Sequence, residues 1–90
     1  MSVVREFTIK NKLGLHARAA AKLVKVTNNY KAEVFIEKNG QRVNGKSIMG
    51  VMMLAAARGS IVKVETSGFD EQQAIDSIES IIEDKFGEDE

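Results

Sequence analysis

The chain has 90 residues, of which 43% are hydrophobic and 29% are charged; 13 basic and 13 acidic side chains give a formal net charge of zero. This length predicts one domain, residues 1–90, with one modest core. No apolar run approaches the about 20 residues of a membrane span. The absence of cysteine excludes disulfides and thiolate zinc sites. With no secretion signal either, the sequence favours a cytoplasmic protein without membrane insertion.

The zero net charge conceals two opposed halves. Residues 1–46 hold ten basic and three acidic side chains, a net charge of +7, whereas residues 47–90 hold three basic and ten acidic ones, a net charge of −7. Either the two halves interleave in the fold and most of this field cancels, or a basic face remains for an acidic partner or an anion. The sequence alone leaves both interpretations open.

The first third of the chain predicts a strand, a loop and a helix. Residues 4–9 alternate as a half-buried strand does, with Phe7 and Ile9 on one face. A glycine-containing loop at 11–15 follows, and a helix begins at Ala17. This helix is favoured by three successive alanines and ends near residues 28–29. Its apolar stripe consists of Ala20, Leu23, Val24 and Thr27.

The middle of the chain predicts a hairpin followed by a second helix. Residues 32–37 alternate, Asn39-Gly40 supplies the two positive-φ positions of a tight turn, and residues 41–43 return as a short strand. Ser47 is placed to accept the free amides of the next turn as an N-cap. The second helix is expected to run from Ile48 to about Ala57.

The last third predicts a strand at 61–66 and the clearest amphipathic helix of the chain, with a capping box formed by Asp70 and Gln73 at its start. The acidic residues 87–90 are expected to fray. The order β-α-β-β-α-β-α, with one-sided helices, predicts an α+β fold of two layers in which helices cover one sheet face and solvent the other. Only the hairpin pairing follows from local sequence.

The one histidine, His16, lies between the glycine-containing loop and the first helix. A lone imidazole without cysteine or neighbouring carboxylates cannot fill a metal coordination shell, so no metal site is expected. The first amides of that helix, from Ala17, Arg18 and Ala19, lack helical partners. Together with the helix dipole and the Arg18 guanidinium, they form a ready anion site. A phosphoryl group on His16 would therefore meet amides and a cation.

The segment Gly14-Leu15-His16-Ala17-Arg18-Ala19-Ala20 resembles the active-site segment of the HPr family, the histidine phosphocarriers of the bacterial phosphotransferase system. Residues 46–52, Lys-Ser-Ile-Met-Gly-Val-Met, resemble the second signature of that family. The resemblance covers nearly the whole chain. It implies an open-faced β-sandwich in which a four-stranded antiparallel sheet carries three helices on one face.

The resemblance implies a phosphoryl carrier rather than an enzyme, without a cofactor. His16 would accept a phosphoryl group on Nδ1 from enzyme I, which phosphoenolpyruvate charges, and pass it to an enzyme IIA. Arg18 corresponds to the phosphate-side arginine. Ser47 corresponds to the serine that an ATP-dependent HPr kinase/phosphorylase modifies in some bacteria; the alternative is a plain N-cap without regulation. That kinase and transcriptional regulators are further candidate partners. A monomer is expected.

One position departs from the family pattern: Ala19 stands where the family usually has proline. Proline would pre-set φ and lower the entropy cost of the first turn, whereas alanine restores an amide donor. We expect function to be retained.

The second helix is too apolar to bury all its side chains in a two-layer fold, so part of its surface is expected to be exposed for docking. The predicted contacts with partners are Ala20, Ile48, Met49 and Met52. The sequence also admits three alternatives. One is a nitrogen-branch carrier, favoured by residues 11–15 but not by residues 46–52. The second is a regulator acting through phosphorylated Ser47. The third, a nucleic-acid module, is disfavoured because paired strand aromatics are lacking.

Overall fold

Four strands form one antiparallel sheet in the computed structural model, which describes all residues from Met1 to Glu90. The elements are β1 (Ser2–Thr8), α1 (Ala17–Thr27), β2 (Glu33–Lys38), β3 (Gln41–Asn44), α2 (Ile48–Met53), β4 (Ile61–Ser67) and α3 (Glu71–Glu83), followed by a 3₁₀ turn at Lys85–Gly87. The strand order is β1-β4-β2-β3, so the last strand in sequence lies between the first two. The predicted open-faced β-sandwich is confirmed.

The core lies between one face of the sheet and the helices. Alternate strand residues point into it, and α1 and α3 add their apolar stripes; its members include Phe7, Ile9, Leu23, Val34, Ile36, Val51, Val64, Ile75, Ile78 and Phe86. On the outer face, the Arg42 guanidinium stacks 4.3 Å from the centre of the Phe35 ring, a favourable cation–π arrangement. No helix is long and apolar enough to span a membrane.

The fold interleaves the basic and the acidic halves of the sequence. The acidic-half strand β4 pairs with the basic-half strands β1 and β2. Every ion pair also joins a basic residue of the first half to an acid of the second, as in Arg5 with Asp76 and Glu79, and Arg42 with Glu65. Part of the opposed charge is thus neutralised within the molecule.

The second helix is shorter than predicted. It ends at Met53 because Ala55 adopts a left-handed conformation, with φ of 49°. The Lys38 ammonium then donates to the carbonyl oxygens of Leu54 and Ala55, both at 3.2 Å. These bonds satisfy carbonyl groups that a continuing helix would have used, so the expected end near Ala57 is wrong.

The predicted capping box at the start of α3 is also wrong. Asp70 occupies the N-cap position, but its side chain makes no bond to the first turn of the helix. The carboxylate instead accepts the backbone amides of Lys31 and Ala32, at 2.9 and 2.8 Å. The pKa of Asp70 is therefore lowered, chiefly by the Lys31 amide. Asp70 ties the start of α3 to the loop before β2.

Candidate functional site

His16 is the N-cap residue of α1, with extended backbone angles of −74° and 179°. The approach to it is fixed by Gly14, at φ of 68°, and by the Leu15 amide, which donates to the Ala56 carbonyl at 2.9 Å. The His16 carbonyl accepts the first helical bond, from the Ala20 amide at 2.8 Å. The imidazole itself caps nothing and is therefore free for other contacts.

A surface cavity of about 570 Å³ opens beside the imidazole. Its wall includes His16, Ala17 and Arg18 from the start of α1, and Lys12 and Leu13 from the preceding loop. The Ala17 and Arg18 amides donate no hydrogen bond within the chain. The Arg18 side chain is exposed and forms no ion pair within 4 Å. On this side the cavity presents free amide donors and the unpaired Arg18 guanidinium, the groups that would hold an anion. The opposite side carries the three acidic side chains of residues 88–90, and Lys12 is paired with Glu90.

Ala19 does not belong to this wall, which corrects the expectation for its amide. Its amide also has no acceptor in the chain, but the residue is completely buried and does not line the cavity. An anion beside His16 is therefore offered the amides of Ala17 and Arg18. A proline at position 19 would remove no hydrogen bond.

The C-terminal tail forms the remaining wall of the cavity, in contrast to the frayed end predicted from its composition. The Glu88 carboxylate lies against His16, with 2.5 Å between Oε2 and Nε2. Its other oxygen, Oε1, accepts from Asn11 Nδ2 at 3.0 Å. The amide of Lys12 donates to the Glu90 carbonyl at 2.7 Å, and Lys22 Nζ to the Phe86 carbonyl at 2.9 Å. The tail is thus held along its length.

Asn11 and Glu88 were not identified by sequence reasoning, since neither belongs to a local motif around the histidine. Asn11 is fully buried, and its Nδ2 also donates to the Gly14 carbonyl at 2.7 Å. Burial of the Glu88 carboxyl raises its pKa, but hydrogen bonds from Asn11 and His16 and the nearby charge of Arg18 lower it more. The net pKa lies below the ordinary value for glutamate, so Glu88 is ionised at neutral pH.

An apolar groove of about 290 Å³ adjoins the other side of His16. It is lined by Leu13, Leu15, Met52 and the alanines at 55–57. On α2, Ile48, Met49 and Met52 are 44, 74 and 41% exposed, as expected for a surface patch. Val51 and Leu54 are the residues that face the core. The imidazole therefore stands between a polar cavity and an apolar groove.

Ala20 is the exception among the predicted partner contacts. It is completely buried against the core, because it lies on the stripe of α1 that faces the sheet. A partner cannot reach its side chain, and the prediction that it is a contact residue is wrong. The earlier assignment of Ala20 to the helix's apolar stripe already implied this burial.

Ser47 is the N-cap of α2, as predicted. Its Oγ accepts from the Gly50 amide at 3.0 Å, and the residue is half-buried. It is thus a structural cap whose hydroxyl lies at the surface of the helix start. No group of three or more histidine, cysteine or acidic side chains is arranged to hold a metal ion.

Known proteins match this chain along almost its whole length. Residues 3–84 match the family model PTS-HPr, described as "PTS HPr component phosphorylation site". The phosphocarrier protein HPr of Cupriavidus necator is 55% identical over 84 residues, which cover 93% of this chain and 94% of that protein. The phosphocarrier protein HPr of Neisseria meningitidis is 52% identical over 80 residues, which cover 89% of this chain and 90% of that protein. The crystal structure of HPr-C-His from Thermoanaerobacter tengcongensis superposes with a TM-score of 0.94 at 42% identity, covering 98% of this chain and 99% of that one. The chain therefore belongs to the HPr family of phosphocarrier proteins of the phosphotransferase system.

Proposed function

We propose that His16 is the phosphoryl acceptor of this carrier. The observation that supports this most is a partly exposed imidazole beside free anion donors: the Ala17 and Arg18 amides are free, and the Arg18 guanidinium has no partner. Of the two ring nitrogens, Nε2 is occupied by Glu88. Nδ1 is left as the nucleophile, in agreement with the expectation from the family resemblance. Arg18 and the two amides stabilise the transferred group.

The transfer is a displacement at phosphorus between two imidazoles. The lone pair on Nδ1 of His16 forms the new nitrogen–phosphorus bond, while the bond to the donor histidine breaks and its electron pair returns to the donor ring. The acceptor ring keeps its proton on Nε2, and the donor ring keeps the proton on its other nitrogen. No proton therefore has to move, and positioning with charge stabilisation supplies the catalysis.

The chain would act between proteins rather than turn over a substrate alone. We infer that it receives its phosphoryl group from phosphorylated enzyme I, works as a monomer in the cytoplasm, and delivers the group to a histidine of an enzyme IIA for sugar uptake. The same amides and guanidinium would hold the group during acceptance and during delivery. The alternative is delivery to a nitrogen-related enzyme IIA. Its only support is that the loop at residues 11–15, which precedes His16, resembles the nitrogen branch of the family.

The direct test is incubation of the chain with a competent enzyme I and phosphoenolpyruvate, followed by mass spectrometry. We expect one acid-labile phosphoryl group, mapped to His16. Acid lability distinguishes phosphohistidine from a phosphorylated hydroxyl. Failure to form any adduct, with an enzyme I that phosphorylates another HPr in the same assay, would contradict the proposal.

We propose that Ile48, Met49 and Met52 form the docking surface for enzyme I and enzyme IIA. They are exposed apolar residues of α2, and Met52 lines the groove that adjoins His16. Flexible thioether side chains suit a surface that must fit several partners in turn. A partner seated there would bring its own histidine to the cavity while excluding water.

Replacing Met49 or Met52 with serine is expected to raise the KM of enzyme I for this chain about three- to tenfold, with little change in the maximal rate. Kinetics of phosphoryl transfer at varied chain concentration measure both. Phe69→Ser is the control, because Phe69 is 82% exposed but follows β4 at the end of the sheet away from the His16 loop. Equal effects of the serine variants at 49, 52 and 69 would contradict a docking surface on α2.

A regulatory role for Ser47 is a second proposal. Its support is the position of Oγ at the start of α2, where a phosphate would be favoured by the helix dipole. The same change would replace the existing bond to the Gly50 amide and add negative charge beside the docking surface. Modification by an HPr kinase/phosphorylase, with binding of a transcriptional regulator, would then act through the surface that enzyme I uses.

A further inference from the structure

We propose that Glu88 is a positioning residue for phosphoryl transfer: its carboxylate, oriented by Asn11, holds the proton of His16 on Nε2 and so keeps Nδ1 unprotonated as the nucleophile. This rests on His16 being the acceptor, as proposed above. Glu88 and His16 lie 72 residues apart in sequence and meet where the C-terminal tail contacts the start of α1.

In the contact between Glu88 and His16, the ring nitrogen is the donor. A carboxylate has no hydrogen to give, so the 2.5 Å contact between Glu88 Oε2 and His16 Nε2 requires the ring nitrogen to carry the proton. In a neutral imidazole the other nitrogen then holds a lone pair. The Glu88 side chain is only 11% exposed and that of His16 is 28% exposed, which limits competition from water for this bond.

The side chain of Asn11 holds the Glu88 carboxylate in place. Asn11 is fully buried and donates both hydrogens of Nδ2, one to the Gly14 carbonyl at 2.7 Å and one to Glu88 Oε1 at 3.0 Å. Its Oδ1 is buried without a partner. Turning the amide over would set Oδ1 against two acceptors, so Nδ2 must face Glu88 despite the unpaired oxygen. Asn11 thereby fixes which way the tail presents its carboxylate.

The imidazole ring gains positive charge during transfer. When Nδ1 bonds to phosphorus while Nε2 keeps its proton, the ring becomes cationic. Glu88 lies directly against that proton and stabilises the cation, as the orienting carboxylate does in a catalytic triad. No atom is exchanged between Glu88 and the ring. Its role is to fix the tautomer and compensate the charge.

The substitution Glu88→Gln turns this arrangement into a sharp test, because a glutamine has one accepting and one donating end. Asn11 Nδ2 requires the accepting end, which leaves the glutamine amide facing His16 Nε2. Nε2 must then accept, and the ring proton moves to Nδ1. We expect the ¹⁵N resonances of His16, the sole histidine, to report a protonated Nε2 in the native chain and a protonated Nδ1 in the variant.

In single-turnover transfer from phosphorylated enzyme I at varied chain concentration, Glu88→Gln is expected to slow the maximal rate about 10- to 100-fold, as misorientation of a reacting group does, with an unchanged half-saturating concentration. Asp84→Asn is the matched control: it removes one exposed charge near the C-terminus without contacting His16. An unchanged tautomer, or an unchanged rate, in Glu88→Gln would overturn the inference. If the native chain itself takes no phosphoryl group on His16, it is the proposed function that fails.

Discussion

Replacing His16 with alanine is expected to abolish phosphoryl acceptance from enzyme I. The chain has no second histidine and no cysteine, so no other side chain offers a comparable nucleophile at neutral pH. Mass spectrometry after incubation with enzyme I and phosphoenolpyruvate measures the loss directly. The native chain in parallel provides the reference for complete phosphorylation.

The variant should remain folded, since the His16 side chain caps no helical amide and is partly exposed. Loss of its bond to Glu88 is expected to lower the free energy of unfolding by about 1 kcal/mol. Gln73→Ala, which changes an exposed residue of α3, is the control variant, prepared and assayed in the same way and expected to accept the phosphoryl group as the native chain does. An acid-labile phosphoryl group on His16→Ala would contradict the assignment, whereas undiminished binding to a regulator would favour the role that depends on Ser47.

Replacing Gly14 with alanine is expected to destabilise the chain by about 3 kcal/mol and to displace the loop that carries His16. A Cβ atom at this position would lie 2.3 Å from the Ala56 carbonyl oxygen and 2.9 Å from the Ala57 Cα. Both are backbone atoms, and that same carbonyl accepts the Leu15 amide. Positive φ adds about 1–2 kcal/mol for a residue with a side chain. Urea unfolding followed by circular dichroism measures the change.

Gly40→Ala separates the clash from the conformational strain. Gly40 also has positive φ, at 84°, but a Cβ atom there would meet nothing within 4 Å. We expect it to cost about 1–2 kcal/mol and to leave phosphoryl acceptance unchanged, whereas Gly14→Ala should impair both. Equal losses of stability in the two variants would mean that the Ala56 backbone moves away from the added Cβ atom without a cost in free energy, which would contradict the expected clash.

Elements with local signals were predictable from the sequence. Asn39-Gly40 forms the expected hairpin turn with both residues at positive φ, and Ser47 caps α2 through a bond three residues away. Likewise, α1 occupies the predicted range because its apolar stripe and its alanines favour the same structure. In each case the interacting groups are neighbours in sequence, so the pattern contains the information.

Features decided by distant contacts were not predictable. The end of α2 depends on Lys38 and on Ala55 leaving the helix, although alanine favours helices. Asp70 matches a local cap, yet it binds amides almost forty residues earlier in the chain. For the candidate site, His16 and Arg18 were predicted from the helix start and the family resemblance. Glu88 was not, because only the folded chain brings it to the imidazole.

The strand order also has a consequence for synthesis of the chain. Because β4 lies between β1 and β2, neither of those strands has its central neighbour until residues 61–67 have been made. Before that point the β2–β3 hairpin is the only sheet pairing available, and an isolated hairpin is marginal in water. A nascent chain would therefore remain unfolded on the ribosome until it is almost complete. Until then, the basic residues of the first half lack the acidic residues with which they form ion pairs.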